Sequence, residues 1–161
     1  MLQLKSCLWR PIRSIAFLCL ILGAAVPHAS AQSTAETSKI ILKQGDRIAI
    51  IGNTLADRMQ HDAWLETYIH ALHPDLDLVF RNLGYPGDEL KTRSREENFG
   101  TPDQWLAKVE ADIVFCFFGY NESLQGEAGL DRFRGDLSEL IDSMKGQKYN
   151  GQTGPTLVFF S

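Results

Sequence analysis

Three turns in the 161-residue chain set glycine beside small polar side chains, each directly after an apolar run. They are Gly52-Asn53-Thr54-Leu55, Asn82-Leu83-Gly84-Tyr85-Pro86-Gly87-Asp88 and Gly119-Tyr120-Asn121-Glu122. Beside the carboxylates of Asp88 and Glu122 they offer neutral hydrogen-bonding groups, with one aliphatic hydroxyl, that of Thr54. A threonine hydroxyl is a nucleophile only beside a base, and its β-methyl restricts χ1 and crowds an incoming carbonyl. The same residues have a plain structural use: glycine and asparagine suit any turn, and threonine suits the start of a helix. Position separates the two readings, because a shared edge would turn three ordinary loops into one site.

To share an edge, the apolar runs must lie side by side. Arg47–Ile51 does not alternate with polar residues, and neither does Asp112–Phe118, which predicts two central strands covered on both faces. Leu76–Asn82 alternates in part and is expected nearer a sheet edge, and Pro155–Ser161 opens a fourth strand. Between them, Trp64, Leu65, Tyr68, Ile69 and Leu72 recur as one face of a helix that Pro74 stops. Pro102–Glu110 predicts a short helix with Pro102 in its first turn and Trp105, Leu106 and Val109 inward. Leu130, Phe133, Leu137, Leu140, Ile141 and Met144 predict a longer one ended by Gly146. The charged stretch Glu89–Thr101, with Lys91, Arg93, Arg95, Glu96 and Glu97, reads as a solvated loop or frayed helix. Strands alternating with helices imply an α/β fold, a three-layer, doubly wound parallel sheet with flavodoxin-like strand order and right-handed crossovers. Ligands of such sheets bind outside the carboxyl ends of the strands, where all three turns fall.

Composition bounds the rest. At 44% hydrophobic and 22% charged residues, the chain reads as one globular domain. Lys5, Arg10 and Arg13 precede an apolar run from Ile15 to Val26, followed by Pro27 and Ala29-Ser30-Ala31. That is the three-part plan of a cleavable secretory signal over residues 1–31, and its apolar run is short of the roughly 20 residues a spanning helix needs. Residues 32–38 are small and polar, as in a disordered mature N-terminus. The expected location is therefore periplasmic or extracellular. Removing the leader takes away three positive charges and no acid, making the formal charge of −4 more negative still. An acidic exported domain is a poor partner for nucleic acid or anionic membrane. Cys7 and Cys19 leave with the leader, and Cys116, set in Ile-Val-Phe-Cys-Phe-Phe, reads as a small buried hydrophobe. No Gly-x-Gly-x-x-Gly or Walker loop follows the first strand and no zinc-spaced cluster is present, so neither a cofactor nor a metal is expected.

In order and position, the three turns resemble the first three sequence blocks of the SGNH or GDSL hydrolases, over about Asp46 to Ser161. The resemblance implies hydrolysis of an ester or acyl bond through an oxyanion hole, with a small ester or acylated glycan as substrate. Carried over residue by residue, the nucleophile position falls on Thr54, and the oxyanion donors are the Gly87 N–H and the Asn121 amide. Each donor suits its role: glycine lets its N–H approach closely, and the asparagine amide is neutral. The departures are specific. Thr54 stands where the family has serine and Asn53 where it has aspartate. The Asp-x-x-His block that brings the base has no counterpart, so the expectation is a domain truncated at its fourth strand. His61, His70 and His73 lie along or after the first helix and match nothing in that block, which leaves them surface or structural roles. These departures keep an alternative open, a non-catalytic module that binds a glycan or a protein in the same cleft. A flavodoxin-like cofactor binder ranks below both.

Overall fold

Six residues, Arg47–Gly52, form strand β1, and all after Arg47 are buried. A strand that hides successive side chains needs cover on both faces, and the computed structural model, which describes residues 39–160, supplies it. The leader over residues 1–31 and the polar stretch 32–38 lie outside the described residues. After β1 come α1 (Thr54–Asp62), α2 (Trp64–Leu72), β2 (Val79–Asn82), α3 (Glu96–Phe99) and α4 (Pro102–Lys108). Then follow β3 (Ile113–Phe117), α5 (Tyr120–Ser123), a 3-10 turn at Gly126–Gly129, α6 (Leu130–Lys145) and β4 (Thr156–Phe159). The four strands pair in parallel in the order β2-β1-β3-β4, which is the flavodoxin-like order the sequence predicts.

The pleat divides the core in two. Ile48, Ile50, Phe80, Ile113, Phe115 and Phe117 meet Met59 of α1 and Leu65 and Ile69 of α2. Ala49, Ile51, Val114 and Cys116 turn the other way, onto Leu106 of α4 and Leu140 and Met144 of α6. Helices on both faces make three layers. Ile50 and Val114 have no exposed surface, so truncating such a side chain to alanine costs roughly 2–5 kcal/mol for the larger ones. Among the described residues, no helix is long and apolar enough to cross a membrane.

Three local expectations need correction. The first helical region is two helices, because Ala63 takes a left-handed conformation (φ 51°) between α1 and α2. Of the five apolar residues on the expected face, Leu65 and Ile69 pack inward, whereas Trp64 (76% exposed), Tyr68 and Leu72 face out. A nine-residue helix laid on a sheet contacts it along one i, i+4 stripe, and the neighbouring stripe is rotated by about 100°. Strand β2 starts at Val79 rather than Leu76, since Asp77 sits at φ 45°, outside extended geometry. The charged stretch after β2 contains α3 and turns two arginines inward. Arg95 donates to the Leu83 carbonyl at 2.8 Å and lies 4.3 Å over the Tyr85 ring, and Arg93 lies 4.7 Å over Phe118.

Candidate functional site

The end of β1 runs against the end of β3. Gly52 adopts φ +133°, and a Cβ there would lie 2.2 Å from the Phe117 carbonyl oxygen, so only glycine fits. The following residue, Asn53, is buried. Its N–H donates to that same Phe117 carbonyl at 3.1 Å, and its side-chain oxygen accepts the Leu55 N–H at 3.2 Å, capping α1. The cap is therefore Asn53, not Thr54 as the structural reading of the sequence has it. Capping by the neighbour leaves Thr54 exposed at the first position of α1 with its hydroxyl free of that duty.

The other two loops are tied to the first and to each other. The Asn82 amide donates to the Ala56 carbonyl at 2.6 Å, and the Tyr85 N–H donates to the Gly52 carbonyl at 3.0 Å, fixing the second loop on α1 and β1. The third loop is joined to the first through the Asn53–Phe117 bond. Glu122 closes the triangle: one carboxylate oxygen accepts the Leu90 N–H at 2.9 Å, and the other accepts the Gly119 N–H at 3.0 Å. Gly87 sits in the second loop at φ +87°, and Asn121 is half-buried in α5. Thr54, Gly87 and Asn121 thus occupy three cross-bonded loops at one edge.

A groove of about 930 Å³ opens at this edge. Asn53, Thr54, Tyr120, Glu122 and Ser123 give it polar groups, while Leu55, Phe117, Phe118, Leu130, Phe133 and Phe160 make its walls apolar. Phe160 stacks on Phe117 at a centroid distance of 4.2 Å. Thr54 lines this groove; Gly87 and Asn121 do not, although Tyr120 and Glu122 on either side of Asn121 do. No histidine is among the described residues that line it. His61, His70 and His73 are exposed on α1 and α2 or just after, and the His70 ring packs edge-on to Phe80 at 5.3 Å.

Sequence reasoning passed over Glu122. Its local half was detectable: a carboxylate three residues after Gly119 has the spacing of a capping box. Its reach to Leu90 had no local signal.

Cys116 and Tyr149 do not line the groove. Cys116 is fully buried, and burial pushes its thiol up to about 12, against a smaller opposing pull from Arg93. Tyr149 is pushed above its ordinary value by burial and then by its hydrogen bond to Asp103. A second cavity, of about 50 Å³, lies between Leu83, Arg95, Phe99 and Trp105. Among the described residues, no group of three or more His, Cys, Asp or Glu is placed to hold a metal ion.

No family model matches the sequence, and no curated protein matches it. Among solved structures, the chain is similar to BT4096, a gut microbial diltiazem-metabolizing enzyme, with a TM-score of 0.56 and 16% sequence identity. The match covers 75% of this chain and 28% of that one. The likeness is one of fold.

Proposed function

We propose that this chain carries the nucleophile and oxyanion side of an exported acyl-ester hydrolase of the SGNH type. One observation carries the reading: the exposed Thr54 hydroxyl lines a groove at the sheet edge where three strand-end loops are hydrogen-bonded to one another, and two of those loops hold Gly87 and Asn121, just outside the groove's lining. In this reading, the Thr54 oxygen adds to the ester carbonyl and its proton passes to a base. The Gly87 N–H and the Asn121 amide take up the negative charge on the carbonyl oxygen. The alcohol then leaves with a proton, and water releases the acid from Thr54. The base lies outside the described lining residues, because the one carboxylate there, Glu122, already accepts two backbone N–H groups. The chain spans 28% of the structure it matches, and the activity of any longer protein belongs to the proposal.

The deciding experiment is hydrolysis of a short acyl ester by the chain, with added imidazole as an external base and the imidazole background subtracted. Saturable rescue that is lost in Thr54→Ala supports the reading, and identical rates in both proteins sink it. The lack of a histidine among the described groove residues favours a second reading, a non-catalytic module for a protein or glycan. That reading expects ligand binding that survives Thr54→Ala, with no turnover under any condition.

A further inference from the structure

Building on the hydrolase reading, we infer that the groove beside Thr54 is a subsite for a bulky, uncharged acyl group, longer than acetyl. The inference starts from how the groove distributes its polarity. Its hydrogen-bonding side chains, Asn53, Thr54, Tyr120, Glu122 and Ser123, all come from the carboxyl ends of β1 and β3, and Leu55, Phe117, Leu130, Phe133 and Phe160 make the rest of its walls apolar. A carbonyl held at the Thr54 hydroxyl directs the carbon chain behind it along those walls. The groove's volume of about 930 Å³ falls in the range of sites that enclose drug-sized molecules, far more than an acetyl group fills.

Charge narrows the occupant. No described lining residue is Lys or Arg, and the one ionisable carboxylate, Glu122, would repel an anion. A free fatty acid or a phosphorylated head group finds no counter-ion here, whereas a neutral ester needs none. Apolar burial then sets the gain: each methylene moved from water into the groove strengthens binding by about fourfold, until the groove is filled.

The test uses the full chain and two probes, octanamide, which has no ester to cleave, and acetamide, with binding measured by calorimetry. A p-nitrophenyl ester series from acetate to decanoate gives the turnover readout. Leu130→Trp and Leu55→Trp narrow the groove at residues that are 44% and 56% exposed, so neither disturbs the core. The expected result is octanamide binding at least about 100-fold tighter than acetamide, weakened at least tenfold by either tryptophan, with the preferred ester shortened in both variants. Equal binding of the two amides, or octanamide binding that both variants leave unchanged, overturns the subsite. Hydrolysis of the acetate ester without any octanamide preference overturns the subsite and leaves the hydrolase reading standing. Octanamide binding that the tryptophans weaken, with no ester cleaved even with imidazole, supports the subsite and removes the hydrolase reading.

Discussion

Glu122 and Leu90 are joined across the carboxyl edge of the sheet, the Leu90 N–H donating to Glu122 Oε1 at 2.9 Å while Oε2 takes the Gly119 N–H at 3.0 Å. One side chain thereby sets the spacing between the loop after β2 and the loop after β3. Glu122→Gln keeps one acceptor and turns an NH2 donor toward the other N–H. The expected loss is about 1–3 kcal/mol in urea denaturation, typical of charge-assisted bonds to half-buried groups. Hydrogen exchange should also quicken at the Leu90 and Gly119 amides. Unchanged exchange at both would show that the clamp is absent in solution.

Two glycines at positive φ should respond differently. A methyl at Gly52 meets the Phe117 carbonyl at 2.2 Å, but at Gly87 the nearest heavy atom is Ser94 Oγ at 3.8 Å. Gly52→Ala should cost roughly 4 kcal/mol or more, since the backbone of two paired strands must part. Gly87→Ala should cost about 1–2 kcal/mol, the conformational penalty alone. Chemical denaturation of the two variants side by side checks the contrast.

Serine lacks the methyl that crowds the Thr54 hydroxyl. If ester hydrolysis runs through that oxygen, Thr54→Ser should raise kcat/KM by about tenfold, or about 1.4 kcal/mol of barrier. Asn121→Ala should lower kcat by about 100-fold or more while the fold persists, as loss of one oxyanion donor does. Steady-state kinetics on a short ester read both, and the circular dichroism spectrum checks that Asn121→Ala is folded.

Alkali should weaken the fold from within the core. The Cys116 thiol rises from an ordinary 9.0 to about 12 through burial, so the native state favours its neutral form. Above pH 9 the unfolded chain releases this proton and the folded chain keeps it, so stability is full below pH 9 and falls as pH climbs toward 12. Tyr149, also raised, adds to the fall from its ordinary value of 10.0 upward. Cys116→Ala should move the onset of the decline to the higher of these two values, measured by denaturant titration across pH.

The sheet was legible because β1 and β3 carry unbroken apolar runs, which is what strands covered on both faces require. The break at Ala63 was not, since a left-handed alanine leaves no mark in composition, and the outward turn of Trp64, Tyr68 and Leu72 follows from that break and from contact with the sheet. Arg93 and Arg95 looked solvated because their partners, Phe118, Tyr85 and the Leu83 carbonyl, lie in other parts of the chain or on its opposite bank. The three turns were readable one by one as glycine and asparagine after strands. Their cross-bonding through Phe117, Gly52 and Glu122 was not, because each bond joins residues distant in sequence.

Strand order also fixes when this protein is able to fold. β1 borders both β2 and β3, and the bond from the Arg47 N–H to Asp112, which closes the β1–β3 seam, spans 65 residues. No hairpin in the described sheet offers a shortcut, since every pairing is parallel. At a synthesis rate of about 5–20 residues per second, roughly 3–13 s pass between the appearance of one partner and the other. Through that interval the apolar strand β1 has one side without its neighbour, which makes the Arg47–Gly52 segment the natural place for a chaperone to hold on.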